Sequence, residues 1–255
     1  MSVLEVVAEG VSIEKLRAHE MEEARSLQQA LVPTEALCGE RCQFASRFRP
    51  AQSVGGDFLD YFVLSDGTVG YFLGDVVGKG LPAALYAALA VGTLRGIHKT
   101  GQQPVRVMEL LNRRLRMRHV PERFCSVQYG VFDPATRMLR YVNAGLPFPL
   151  HLSKKGCQVL EGGGNPSGMF EDPAYLTQTV QLEVGDAVLF FTDGLSEAHS
   201  PDGQEFGRER IHTLCAKLRE SASEQILEGV FGALEELVDG RPQHDDIAAA
   251  VLKVR

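Results

Sequence analysis

Carboxylates placed where apolar strands start or stop carry the strongest chemical signal in this sequence. The run Val188-Leu-Phe-Phe-Thr ends on Asp193-Gly194, and Val69-Gly-Tyr-Phe-Leu-Gly ends on Asp75. Gly55-Gly56-Asp57 precedes the run Phe58 to Leu64, and Asp245-Asp246 precedes Ile247-Ala-Ala-Ala-Val-Leu252. A buried strand that stops at a glycine turn delivers its acid to the strand's end. A carboxylate so near a core needs a partner, and few Arg or Lys lie nearby in the sequence. Acids of this kind, far apart in sequence, suit a hard divalent cation, which takes oxygen ligands. Two Mg2+ or Mn2+ ions about 3.5–4 Å apart can hold a water of lowered pKa and clamp a phosphoryl oxygen, so the pattern points to a two-metal hydrolase. A single Asp-Gly is ordinarily just a turn, as expected of Asp66, Asp202 and Asp239.

Other phosphate and nucleophile chemistries fit poorly. Gly74-Asp-Val-Val-Gly78-Lys79-Gly80 has one residue too few between its glycines for a P-loop, and Gly80 stands where Ser or Thr is required. The loop Gly162–Gly168 lacks dinucleotide-binding spacing. There is no Gly-x-Ser-x-Gly elbow and no Cys-x5-Arg loop. The chain has 255 residues, 44% hydrophobic and 23% charged, with a formal net charge of −7. That is ordinary globular composition, and the acidic balance argues against nucleic-acid binding. Five cysteines (Cys38, Cys42, Cys125, Cys157, Cys215) are an odd number without a Cys-x-x-Cys pair. They read as reduced thiols of a cytoplasmic protein. No apolar run approaches the ~18 residues of a membrane span, and the N-terminus lacks a signal-peptide layout.

The elements that must position these acids alternate between hairpins and paired helices. From Ser12, a candidate cap, to Leu31, the residues Ile13, Leu16, Ala24, Leu27 and Leu31 recur at helical spacing until Pro33. This amphipathic helix either packs on its own domain or pairs with a second copy in a homodimer. Arg41 to Pro50 alternates weakly. Phe58–Leu64 and Val69–Asp75 flank Ser65-Asp66-Gly67, a hairpin signal. A small-residue helix begins near Leu81, with Pro82 in its first turn. A second covers Pro104 to Arg118, with Val105, Met108, Leu111 and Leu115 on one face. Its other face carries Arg106, Arg113, Arg114, Arg116 and Arg118, read as a solvated surface or as a docking surface for an acidic partner. Strands follow at Phe124–Phe132, Met138–Val142, Pro147–Leu152 and Tyr175–Leu182. Helices are expected over about 207–219 and 223–239, and a last strand over Ile247–Val254. Strands in hairpins and helices in pairs argue for an α+β fold of antiparallel sheets covered by helices. The chain divides into an N-terminal segment, 1–33, and one domain, 34–255.

These segments together resemble the PPM/PP2C-type serine/threonine phosphatases, in the bacterial branch that includes SpoIIE and RsbU. The resemblance rests on Val54-Gly-Gly-Asp57-Phe-Leu-Asp60, Gly74-Asp75-Val-Val-Gly78-Lys-Gly80-Leu-Pro-Ala-Ala84, Tyr141-Val-Asn143-Ala-Gly145, Gly185-Asp186, Thr192-Asp193-Gly194-Leu-Ser-Glu197-Ala and Asp245-Asp246-Ile, in that order. It implies a four-layer α/β/β/α sandwich with the metals in a cleft at one edge. By the same resemblance Asp75 bridges two Mn2+ or Mg2+ ions, with the Val76 carbonyl as a further ligand. Asp193 and Asp245 hold one ion and Asp57 the other, with Asp246 ranked behind Asp245. A metal-activated water would then hydrolyse phosphoserine or phosphothreonine on a regulatory protein, such as a STAS-type anti-sigma-factor antagonist. The helix before Pro33 resembles the connector to an upstream sensor module. Gly78, Lys79 and Gly194 are the candidate substrate contacts.

The sequence departs from that pattern in places. Lys79 stands where this branch often has His, and Leu146 where relatives often have His. Val77 stands where eukaryotic relatives have a His proposed as general acid. The alternative is a PP2C-like module with weak or no catalysis, acting by docking a partner. A third reading is hydrolysis of a small phosphorylated metabolite.

Overall fold

The computed structural model describes residues 13–98, 103–117 and 120–255. In chain order the elements are α1 (Ile13–Gln29), β1 (Leu37–Cys38), β2 (Cys42–Arg49), β3 (Phe58–Val63), β4 (Val69–Val76), α2 (Gly80–Ile97) and α3 (Pro104–Met117). They continue with β5 (Cys125–Asp133), β6 (Met138–Ala144), β7 (Leu150–Ser153), β8 (Gly156–Val159), β9 (Gln178–Gln181) and β10 (Ala187–Phe191). The last are α4 (Asp193–Ser196), α5 (Arg208–Leu218), α6 (Ser223–Val238) and β11 (Ile247–Val254).

Two antiparallel sheets result, one in the order β1-β2-β11-β10-β7-β8 and the other β3-β4-β5-β6-β9. Their facing sides share one core, in which Phe44, Leu59, Tyr71, Tyr141, Phe190 and Leu252 meet. The far side of the second sheet packs on α2 and α3 through Phe72, Ala87, Val91, Met108 and Leu111. The far side of the first packs on α5 and α6 through Leu189, Phe191, Ile211, Val230 and Phe231. The architecture is therefore α/β/β/α, because each sheet has two apolar faces and needs a cover on both. This explains the unbroken run in β10: Val188 and Phe190 face the other sheet while Leu189 and Phe191 face the helices. Between β3 and β4, Asp66 accepts from the Thr68 backbone (3.1 Å) and hydroxyl (2.7 Å), closing the expected turn.

Several elements differ from expectation. Only Gln178–Gln181 of the stretch 175–182 is a strand, and β7 begins at Leu150 rather than Pro147. The hairpin partner β8 was missed. Its residues are half-buried or exposed, so no alternation marks it, and its turn is carried by Gly156 at φ +119°. Along α3 the buried face includes Val107 and Asn112 besides Met108, Leu111 and Leu115, and Val105 lies at its margin. Ser12 and Arg118 lie outside the described residues.

Helix α2 overturns one expectation. At 18 residues it is long and apolar enough to cross a membrane by length and composition. Its alanines and leucines, with Arg95 as its sole charge, produce that signal. Here Ala83, Tyr86, Ala87, Ala90, Val91 and Leu94 pack into the core beneath it. Leu81, Leu85 and Leu89 point outward. Helix α1 has no fully buried residue. It is tied down at its C-terminal end, where Gln28 donates to Gly55 O (2.6 Å) and accepts from Gly55 N (3.0 Å). Arg95 donates to Leu31 O (2.9 Å) and to Asp60 (2.8 Å).

Candidate metal centre

The acids come from both sheets and meet at one edge of the sandwich. Asp57 immediately precedes β3 and Asp75 is the next-to-last residue of β4, both in one sheet. Asp193 follows β10 and Asp245 shortly precedes β11, both in the other. Strand pairing sets this up: β3 pairs with β4 and β10 with β11, so each pair of neighbouring strands delivers two acids.

Thr192 links the two halves. Its hydroxyl donates to Asp57 Oδ2 (2.7 Å) and accepts from Ala248 N (2.9 Å). Thr192 is 0% exposed and Asp57 2%. Asp57 is therefore held from the opposite sheet by a side chain with no freedom to leave. Burial pushes its carboxyl well above the ordinary range, helped by the charge of Asp75 and opposed by the Thr192 hydrogen bond. Asp75 is raised to about 7 by burial and by Asp193, with a hydrogen bond from Asp57 opposing. Asp193 is raised by burial and by Asp245. Desolvated like charges each make it harder for the next to ionise.

Cations do little to relieve this. Lys79 donates to His244 O (2.7 Å) and pairs with Asp245 Oδ2 (3.1 Å). Half-exposed, it also ties the start of α2 to the β11 loop. Arg123 donates to Val77 O and fills the space where a Cβ on Gly78 would lie. Gly78, at φ +99°, is thus a turn pinned by an arginine. Gly194 permits a close backbone approach, since a Cβ there would run into the Asp246 carbonyl. The Val76 carbonyl faces the Gly55-Gly56-Asp57 loop, 2.9 Å from where a Cβ on Gly56 would sit.

Asp246, ranked among the ligands, is engaged elsewhere. Its Oδ1 accepts from Ala51 N (2.8 Å) and its Oδ2 from Gly56 N (2.6 Å). It clamps the loop that carries Asp57 rather than offering a free carboxylate.

The donor chemistry fits a hard divalent ion: oxygen ligands, desolvated, with mutual repulsion that few cations offset. The spacing is looser than one ion spans. Among the described residues no three Asp, Glu, His or Cys side chains converge closely enough to hold a metal as they stand.

Two residues at this edge were not among the candidate site residues, although Glu197 lies within one of the motifs that carry the resemblance. Glu197, just after α4, is raised by burial and by Asp193. Arg208, the first residue of α5, lies on the same side and lowers both Asp193 and Glu197 electrostatically. Only the turn of α4 and the loop after it bring them to Asp193. Two cavities flank that turn. One, of about 540 Å³, is lined by Arg49, Gly194, Glu197, Arg241, His244 and Asp245 among others. The other, of about 440 Å³, is lined by Gly145–Phe148, Gly163, Gly164, Asp193, Glu197 and Arg208.

Comparisons with known proteins place the chain by sequence and by fold. The family model described as Stage II sporulation protein E (SpoIIE) matches residues 65–255. Protein IcfG of Synechocystis sp. is 29% identical over 257 residues, covering 89% of this chain but 40% of IcfG. The chain therefore spans well under half the length of that relative. Phosphoserine phosphatase RsbU of Bacillus subtilis is 27% identical over 236 residues, covering 92% of this chain and 70% of RsbU. Among solved structures, the SiaA-PP2C domain of Pseudomonas aeruginosa superposes with a TM-score of 0.82 at 23% identity, covering 94% of this chain and 97% of that one. The catalytic domain of the serine/threonine phosphatase PstP, in complex with two manganese ions, superposes with a TM-score of 0.60 at 14% identity, covering 84% and 98%.

Proposed function

Because the chain belongs to the SpoIIE family and has the PP2C fold, we propose that it is a metal-dependent protein serine/threonine phosphatase. The observation that carries this reading is the gathering of Asp57, Asp75, Asp193 and Asp245 at one edge with almost no compensating cation. Asp75 lies between the two halves of that set and would bridge two Mn2+ or Mg2+ ions. Asp193 and Asp245 would serve one ion, Asp57 the other, and the Val76 carbonyl would add a ligand. Bound ions would supply a water of lowered pKa and a clamp on phosphoryl oxygens. Thr192 fixes the Asp57 carboxylate, Asp246 fixes the loop that carries it, and Lys79 fixes the loop of Asp245. With so much of the donor set held by neighbours, less ordering is left for the moment of reaction.

The substrate class we propose is a phosphorylated regulatory protein of the STAS type, in a partner-switching pathway in the cytoplasm. The likeness to a phosphoserine phosphatase, RsbU, supports this over a small metabolite. Residues 34–255 form the phosphatase domain and 1–33 the connector to an upstream sensor or to a second copy. Helix α1 has no fully buried residue, and Leu27 and Leu31 share an apolar groove of about 180 Å³ with Leu81 and Leu85. That supports a homodimer through residues 12–31, which light scattering at high concentration would refute if the chain stays monomeric.

The central test is release of phosphate from a phosphoserine protein and from p-nitrophenyl phosphate, with Mn2+ and with EDTA. Turnover that needs the metal and disappears in Asp193→Asn supports the reading. If calorimetry detects no Mn2+ binding and neither substrate is hydrolysed, the chain is a docking module instead.

A further inference from the structure

Resting on the phosphatase reading, we propose that Arg208 binds the phosphoryl group of the substrate, in the cavity bounded by Gly145–Phe148 and Gly163–Gly164. A phosphomonoester arrives with nearly two negative charges. It must reach an edge crowded with Asp57, Asp75, Asp193, Asp245 and Glu197. The cations near this edge are accounted for in different ways. Lys79 is tied to Asp245 and His244 O. Arg123 is tied to Val77 O. In the other cavity Arg49 pairs with Glu235 and Arg241 donates to Ser200 O. Among the described residues Arg208 alone of these has neither a side-chain hydrogen bond nor an ion pair, although it borders the same cavity as Asp193 and Glu197.

Its position in α5 points the same way. Arg208 is the first residue of that helix, following Gly207 at φ +77°. The exposed amides at a helix N-terminus favour an acid there and disfavour a cation. Asp193 and Glu197 attract the exposed guanidinium electrostatically, but neither forms an ion pair with it, so the misfit is only partly relieved. A bound phosphoryl group would offset it, since the guanidinium fork matches two phosphate oxygens and the helix amides add attraction for the same anion.

The cavity suits a phosphorylated side chain entering from a protein surface. Its volume of about 440 Å³ lies within the range of small-ligand sites. One wall is apolar, with Leu146 buried and Phe148 exposed at the rim, where it can meet the substrate chain. The loop that forms this wall is held by Asn143, whose side chain donates to Leu146 O (2.9 Å) and accepts from Leu146 N (3.0 Å). Gly164, on the opposite side, packs tightly against Ala174 O, where a Cβ would clash. Phosphate held by Arg208 would lie beside Asp193, where the reacting phosphorus has to be.

The test compares wild type, Arg208→Lys and Arg208→Ala at saturating Mn2+ on a phosphoserine protein and on p-nitrophenyl phosphate, with inorganic phosphate as competitive inhibitor. Losing a bidentate charged pair is expected to lower kcat/KM about 10–100-fold on both substrates and to weaken phosphate inhibition about tenfold. Arg208→Lys, which keeps the charge but not the fork, should fall between, with the Mn2+ activation midpoint unchanged because the charge beside Asp193 is kept. Unchanged kinetics on both substrates would overturn the proposal. So would a loss confined to the protein substrate, which would mean that Arg208 reads a neighbouring acidic residue instead. If the wild type hydrolyses neither substrate, the phosphatase reading itself fails and takes this proposal with it.

Discussion

Replacing Asp75 with Asn should stabilise the metal-free protein while abolishing metal-dependent turnover. The Asp75 carboxyl sits at about 7 in the fold against an ordinary value of 3.8, because it is buried and faces Asp193. A raised carboxyl is stabilising to no one when ionised: the folded state binds its proton more tightly than the unfolded chain does. Stability therefore falls as pH rises from about 4 to about 7, and the full penalty persists above that. Taken at face value the shift corresponds to a penalty of about 4 kcal/mol. Relaxation and water entry reduce it, so roughly 2–4 kcal/mol is the expected gain for Asp75→Asn in EDTA at pH 8. In melting temperature that is roughly 5–10 °C for a chain of this size. Near pH 4 the gain should shrink to well under ~1 kcal/mol, since the wild-type carboxyl is then protonated in the folded state and only about half ionised in the unfolded chain. Mn2+ should narrow the difference at pH 8 by relieving the same repulsion in the wild type. Urea or thermal melts of both proteins at the two pH values read this directly. If the variant melts with the wild type at pH 8, or gains as much at pH 4, the crowding of charge inferred here is wrong.

Thr192→Val removes the hydroxyl that bridges Asp57 and Ala248 N, leaving two buried groups unpaired, so urea titration should show a loss of about 2–3 kcal/mol. Gly194→Ala forces a methyl into the Asp246 carbonyl; circular dichroism melts should show a loss of at least ~2 kcal/mol, and retention of wild-type stability would mean that the close approach is not real. Gln28→Ala breaks both hydrogen bonds to Gly55, and hydrogen exchange in α1 should rise about tenfold, matching the loss of about 1.4 kcal/mol. Exchange at the wild-type rate would show that α1 is held by other contacts.

How much of this could be read from the sequence depended on whether the signal was local. The run into Asp193 was legible because β10 is buried on both faces, so every residue is apolar and the break at Thr192-Asp193 is sharp. The same holds for β11 after Asp245-Asp246. Burial pattern could not separate those two adjacent acids, because what distinguishes them is a loop almost 200 residues away: Asp246 meets Ala51 N and Gly56 N, whereas Asp245 meets Lys79. Thr192 lay inside a recognised motif, but its hold on Asp57 is a contact between sheets and leaves no periodic trace. Arg208 was silent for a similar reason, being a charged residue in a stretch where charge is ordinary, and Glu197 lay inside a recognised motif with nothing local to mark its approach to Asp193. The hairpin of β7 and β8 sits at a sheet edge, where one strand is half in water and alternation fades. Helix α2 misled in the opposite direction. Its small apolar residues suit tight packing below and an apolar face above, and together they reach the length and composition of a membrane span.

The division of the acids between the two sheets has a mechanical consequence. Asp57 and Asp75 ride on one slab and Asp193 and Asp245 on the other, so the gap they enclose works like the jaws of a caliper whose handles are the sheets. A slide of one slab over the other would change the jaw opening, and the Thr192–Asp57 hydrogen bond across the gap resists it. The rings that meter such a slide lie deep between the slabs, where Tyr71 and Phe190 stack with centroids 4.4 Å apart. Packed interiors shift between discrete arrangements rather than deforming smoothly. The Asp57 loop, anchored to α1 through Gln28, is also bonded to the other slab through Thr192 and Asp246, so the jaws are latched at their tip.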